Sequence, residues 1–172
     1  ALRGTDAVLI PDTGDGLRAA VRGPFGDWFL IAKGWDSLLN YQSPRKGQEL
    51  SSRRRTEFVD VERDGAGRVY GLDSRENTVI RLALDRRTQK TLINGPWKKP
   101  VALAIDPLDN VYVLDRGLRQ VFMYDADGAL VTSVGPSLGG GIDLRDPRDL
   151  AVDGSGRVFV ADTKLPFIVL LD

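Results

Sequence analysis

Short apolar stretches separated by polar turns recur along this chain. Three segments, 58–73, 101–115 and 150–162, align almost without adjustment. Each consists of an apolar strand, a tight polar turn, a second apolar strand and a closing aspartate (Asp73, Asp115 and Asp162). Apolar runs of this length, bounded by turn residues, predict antiparallel hairpins.

One aromatic residue marks the same place in every second strand, at Tyr70, Tyr112 and Phe159. A weaker copy precedes them, with Phe29 in the aromatic position. Third strands are predicted at 37–42, 77–84, 120–125 and 167–171, and fourth strands only in the two middle repeats, at 90–93 and 129–134. Four short antiparallel strands recurring at intervals of about 40–50 residues are typical of β-propeller blades.

The sequence therefore predicts an all-β chain with helix nearly absent. We expect a single propeller domain or fragment over 1–172, with blades near 17–50, 56–94, 100–135 and 147–172. Three organisations stay open. The first is a partial propeller of a larger ring, and the second is a ring closed by four blades, in which 7–10 supplies the closing strand. The third is a ring completed by dimerisation.

Residues 147–162 and 100–125 resemble NHL repeats, and a fainter resemblance extends back to about residue 55. The resemblance implies a propeller, commonly of six blades, that binds proteins, RNA or small ligands. Its amidating-lyase relatives depend on metal-binding histidines. This chain has no histidine, so that activity is not carried over.

Composition narrows the chemistry further. Without histidine or cysteine, the chain lacks the usual general base, His-dependent triads and nearly all zinc ligand sets. No cofactor is predicted, and calcium is the ion left open, because it takes oxygen ligands. Each closing aspartate could contribute to a central ion site, but the local role of accepting backbone N–H groups in its own loop is favoured. No apolar run is long enough for a membrane span.

Charge is balanced overall, with 24 basic and 24 acidic residues, but its distribution is uneven. In a propeller, loops joining strands two and three lie on the same side as loops joining successive blades. These loops are rich in cations and contain two tryptophans. The residues predicted to bind are Trp35, Arg75, Trp97, Lys98, Lys99, Arg116, Arg119, Arg148 and Lys164.

Arg and Trp are enriched at the energetic centres of interfaces. The chain is therefore interpreted as a protein-binding or scaffold module, rather than an enzyme, that presents a basic face to a protein partner. An acidic ligand, RNA, and a calcium-dependent hydrolase or lactonase acting on a small substrate are the alternatives. A bacterial protein outside the cytoplasm, or a component of a larger assembly, is the favoured setting. Simple solvation of loop charges would produce the same composition.

Overall fold

The computed structural model describes residues 16–23, 27–32, 38–41, 47–50, 56–82 and 89–171. All regular secondary structure within these ranges is β-strand. The fifteen strands are β1 Leu17–Arg22, β2 Trp28–Ala32, β3 Leu38–Tyr41, β4 Gly47–Leu50, β5 Phe58–Arg63, β6 Val69–Asp73, β7 Thr78–Leu82, β8 Gln89–Asn94, β9 Pro100–Ile105, β10 Val111–Asp115, β11 Gln120–Tyr124, β12 Leu130–Val134, β13 Pro147–Val152, β14 Val158–Asp162 and β15 Val169–Leu171.

The strands form four antiparallel sheets in which neighbours in sequence are neighbours in space. Sheet 1 is β1–β4, sheet 2 is β5–β8, sheet 3 is β9–β12, and sheet 4 contains β13, β14 and β15. All residues of β6 and β10 are buried, because each of these second strands is covered on both faces of its sheet. Tight turns join the strands; Gly67 and Gly156 occupy positive-φ positions there.

Successive sheets stack through their first strands. Contacts join β1 to β5, β5 to β9, and β9 to β13. Apolar clusters fill the spaces between sheets, and one side-chain bond crosses directly from β5 to β9: the Leu103 N–H donates to Asp60 Oδ2 at 2.8 Å. Within the described residues no comparable contact joins β13 to β1, so the four sheets form an open arc.

The predicted fold class is confirmed: the described chain is all-β, built of three four-stranded antiparallel sheets and one three-stranded sheet arranged as a partial propeller. Among the described strands nothing supports the alternative of closure by four blades, and that alternative is not tested further, because its closing strand falls outside the described residues. The structure also contains β4, a strand that was not predicted. The predicted closing strand at 7–10 lies outside the described residues, and the single-domain assignment over the whole chain stays a prediction.

No helix within the described ranges has the length and apolar character needed to cross a membrane.

Candidate binding face

The buried closing aspartate of sheet 3 joins two loops. Asp115 Oδ2 accepts the N–H groups of Lys98 and Lys99, at 2.8 and 2.7 Å, from the segment that enters the sheet. Its Oδ1 accepts the N–H of Leu118, at 2.5 Å, from the turn between strands two and three. The Arg116 N–H in turn donates to the Lys99 carbonyl at 2.9 Å. Asp115 therefore fixes these two loops side by side.

The same arrangement recurs in sheets 2 and 4. Asp73 accepts N–H groups from Glu57 and Arg75, and Asp162 accepts them from Arg145, Asp146 and Lys164. All three closing aspartates are buried, with 0–6% of their surface exposed. A carboxylate buried at this depth needs such donors, because loss of its hydration is costly. Each aspartate accepts an N–H group of its own loop, as predicted. The additional donors from the segment that enters the sheet were not predicted.

Most of the predicted cations lie at the surface of these loops. Arg116 is half-buried. The exposed residues among them are Arg75, Lys98, Lys99, Arg119, Arg148 and Lys164. Gly117 allows the turn to approach the entering segment: a Cβ placed there would lie 2.8 Å from Lys98 Cβ and 3.2 Å from Lys99 Cβ. The bonds to Asp115 thus hold the backbone of the two loops in place. They bring together four cations, Lys98, Lys99, Arg116 and Arg119.

Two of the predicted cations are already paired within the chain. Asp146 accepts Arg116 Nε at 2.5 Å and Arg148 Nη2 at 2.8 Å, and the Thr163 hydroxyl donates to the same carboxylate at 2.8 Å. These donors, Arg116 first, hold the pKa of the Asp146 carboxyl well below its usual range. The pair between Arg116 and Asp146 connects sheet 3 to sheet 4. Asp146 thus partly neutralises the charges of both Arg116 and Arg148 within the chain.

The other cations of these loops make no such pair with any described residue. Within the described ranges, no carboxylate lies at salt-bridge distance from any member of the group Arg75, Lys98, Lys99, Arg119, Arg145 and Lys164. We call this group the free cations. Arg145 was recognised in sequence as a loop cation but was not included among the predicted binding residues.

Trp97 is not displayed on this face. Only 3% of its surface is exposed, and its ring packs edge-on against Tyr124 with centroids 5.9 Å apart. It belongs to the apolar cluster between sheets 2 and 3. The prediction that Trp97 contributes to an exposed binding face was wrong. Its large apolar ring lies in a short segment between blades, where the hydrophobic effect favours burial between the sheets. Trp35 lies outside the described residues.

Sequence reasoning missed a pairing on the opposite side of the sheets. The hydroxyls of Tyr70 and Tyr112 donate to Asp64 and Asp106, in the turns between strands one and two, at 2.9 and 3.1 Å. Burial and these aspartates raise the pKa of each tyrosine to about 12. The sequence analysis identified the repeated aromatic residue but did not use its constant separation of six residues from the turn aspartate. That separation was the signal that could have revealed the hydrogen bond.

Three carboxylates lie on the first strands, at Asp60, Glu62 and Asp149. Burial raises the pKa of Asp60 to about 7, and burial together with the charge of Asp149 raises that of Glu62. Within the described ranges, no three acidic side chains are arranged to hold a metal ion. These groups influence one another electrostatically but form no cation site there.

An apolar cavity of about 610 Å³ lies between sheets 3 and 4. Its lining includes Val121, Met123, Val134 and Leu170. Tyr112 also lines it, but the Tyr112 hydroxyl is bound to Asp106. Thr132 adds a second hydroxyl, and the described lining contains no charged side chain, so the cavity offers volume for an apolar group.

The sequence matches no protein-family description. No curated protein shows significant similarity to it. Membership of the NHL family is thus not shown and stays an interpretation of the repeat.

Solved structures do resemble the chain. Virginiamycin B lyase from Staphylococcus aureus aligns with a TM-score of 0.73 at 11% identity, over 94% of this chain and 57% of that one. A protein provisionally assigned as a gluconolactonase aligns with a TM-score of 0.70 at 18% identity, over 92% and 61%. The extracellular domain of a provisionally assigned one-component system from B. thetaiotaomicron gives 0.69 at 11%, over 92% and 24%.

At these identities the similarity establishes the fold and nothing finer. The chain spans less than two thirds of the length of each of these proteins. The arc of four stacked sheets, together with these neighbours, identifies the described chain as part of a β-propeller.

Proposed function

We propose that this chain is a binding module whose free cations contact an acidic surface of a protein partner. The observation that carries the proposal is the group of exposed, unpaired cations on loops held by buried aspartates. Such loops are already ordered before a partner arrives. Binding then costs less conformational entropy than it would for flexible loops.

The free cations also suit the kinetics of association. Charges at the rim of an interface accelerate encounter with a partner of opposite sign and make the rate depend on salt. Lys98 and Arg119 are well placed for this, because their loops lie side by side above Asp115. Neither needs to leave an internal ion pair in order to engage a partner, whereas Arg116 and Arg148 do.

The test replaces Lys98 and Arg119 together by glutamate and measures retention on heparin and on immobilised polyglutamate. Both substitutions leave the backbone bonds to Asp115 available, so the fold is retained. We expect elution from both supports at clearly lower salt than for the unaltered chain.

The matched control carries Arg63→Glu and Lys90→Glu. These residues are also exposed, but they lie at the end of β5 and on β8, away from the aspartate-held loops. The control has the same net charge as the test variant. Equal loss of retention in the two variants would show a general charge effect and would refute a specific face.

A calcium-dependent enzyme is the second candidate. The fold neighbours support an enzyme at least as much as a binding module, since they include a lyase and a provisionally assigned gluconolactonase. The dependence on calcium is part of the hypothesis. Its test is a melting curve with and without calcium, combined with hydrolysis of simple lactones. A calcium-dependent rise in melting temperature with turnover would replace the binding proposal. RNA binding instead predicts a steep linear fall of log affinity with log salt concentration.

A further inference from the structure

Arg116 and Arg148 converge on one carboxylate at the junction of sheets 3 and 4. Arg116 donates through Nε to Asp146 Oδ1 at 2.5 Å. Arg148 donates to Oδ2 through Nη2 and Nε, at 2.8 and 3.2 Å, and the Thr163 hydroxyl donates to Oδ2 at 2.8 Å. Three side chains from separate segments thus surround the position of a single anionic group.

The backbone around Asp146 is held independently of this carboxylate. The Asp146 N–H donates to Asp162 Oδ1 and Oδ2, at 3.0 and 2.9 Å, and the Thr163 N–H donates to the Asp146 carbonyl at 3.2 Å. On the side of sheet 3, the Arg116 N–H donates to the Lys99 carbonyl at 2.9 Å. Removing the Asp146 carboxylate should therefore leave the three donors near their present places.

The two arginines are within reach of solvent. The Arg116 side chain is 26% exposed and that of Arg148 is 47% exposed, whereas that of Asp146 is 16% exposed. A guanidinium carries five N–H donors, and in the described part of the chain Arg116 donates to a carboxylate through Nε alone. An acidic group from outside can therefore approach both arginines, but Asp146 already occupies the position between them.

Free cations lie on both sides of this junction. On the side of sheet 4, the N–H groups of Arg145 and Lys164 are bound to Asp162. On the side of sheet 3, Lys99 lies in the loop that receives the Arg116 N–H. The charge of Asp146 therefore lowers the positive potential between the two groups of free cations.

We propose that Arg116, Arg148 and the Thr163 hydroxyl form a binding site for a carboxylate of the partner. Asp146 limits the affinity of this site by occupying it. This inference rests on the proposed function, because it concerns the same face. Without Asp146, a carboxylate of an acidic peptide would accept charge-assisted hydrogen bonds from both arginines. Asp146 is thus a specificity-determining residue, which leaves the two arginines to partners that engage the free cations as well.

The test measures binding of fluorescently labelled polyglutamate, by anisotropy, to the unaltered chain, to Asp146→Ala and to Asp143→Ala. Asp143 lies in the same segment between sheets 3 and 4, is exposed, and forms no ion pair with any described residue. The two variants therefore have the same net charge. We expect Asp146→Ala to bind at least about 10-fold more tightly than Asp143→Ala, because it alone releases both arginines. Equal affinities would overturn the proposal.

Arg148→Gln distinguishes release of the arginines from a general effect of charge. In the unaltered chain we expect it to weaken peptide binding by less than about twofold, because Asp146 already pairs with Arg148. In the Asp146→Ala background we expect a loss of at least about fivefold. Equal losses in the two backgrounds would contradict the proposal. If a melting curve shows that Asp146→Ala does not fold, Asp146→Asn replaces it in both comparisons, since its side-chain oxygen still accepts from Arg116 while the charge is gone.

The variant with Lys98→Glu and Arg119→Glu keeps this result distinct from the proposed function. If that variant loses no more retention than its control, the binding face is refuted, and this inference with it. If it does lose retention while the variants at 146 and 143 bind polyglutamate equally, only the site around Asp146 is refuted.

Discussion

At the residue scale, carboxylates perform most of the specific work in this chain. Asp115 and its equivalents each bind backbone N–H groups of two loops, and Asp60 binds a backbone N–H of the neighbouring sheet. In each case a buried acidic side chain connects segments that are distant in sequence. Removing such a side chain leaves buried donors without an acceptor.

Asp60 should make stability depend on pH. Its folded pKa of about 7 lies above its ordinary value of 3.8, so the folded state binds a proton more tightly than the unfolded state does. The contribution is complete below about pH 4 and is lost as the pH rises through 7, by about 4 kcal/mol at most. We expect the free energy of unfolding of the unaltered protein to fall more steeply over this range than that of Asp60→Asn, as measured by urea titration.

Asp127→Asn is the control, because Asp127 lies in an exposed turn. Its pH profile should run parallel to that of the unaltered protein. A parallel profile for Asp60→Asn as well would show that Asp60 is ionised normally in the folded state.

At the element scale, the pairing of loops by closing aspartates determines which side chains share a face. Asp115→Ala leaves the N–H groups of Lys98, Lys99 and Leu118 without their acceptor. We expect the free energy of unfolding to fall by about 3 kcal/mol or more, and the exchange of these three amides with solvent to accelerate. Denaturant titration and hydrogen exchange measure the two effects.

An alanine at Asp127 should change the free energy of unfolding by less than about 0.5 kcal/mol, since Asp127 is exposed and holds no loop. If Asp115→Ala were equally mild, the two loops would be held by something other than this carboxylate.

At the scale of the whole molecule, stability comes from packing between sheets. Trp97 fills the space between sheets 2 and 3 together with Tyr124. We expect Trp97→Ala to lower the free energy of unfolding by about 3–5 kcal/mol, the usual range for removing a buried aromatic side chain. Chemical denaturation measures it, and Leu108→Ala, at a position 78% exposed, should be nearly neutral.

The same variant separates packing from binding. Below its melting temperature, Trp97→Ala should elute from heparin at the same salt concentration as the unaltered chain, because its ring does not reach the surface. Selective loss of retention in a folded Trp97 variant would restore the role in binding predicted from sequence.

Local patterning was enough to predict the sheets. The apolar runs, the turn residues and the spacing of Tyr70, Tyr112 and Phe159 repeat along the chain, and hairpins depend on residues near in sequence. The closing aspartates were visible for the same reason. Sequence alone therefore determined the strand order within the repeats, apart from β4, and the stacking of repeats into a propeller.

Only the tertiary structure decided which candidate residues face outward. Trp97 became core, and Arg116 and Arg148 became partners of Asp146, because the space between sheets and the approach of distant loops depend on how blades stack. The lack of a contact between β13 and β1 among the described residues likewise appears only in three dimensions. Burial and charge pairing are properties of several segments at once, and no single repeat encodes them.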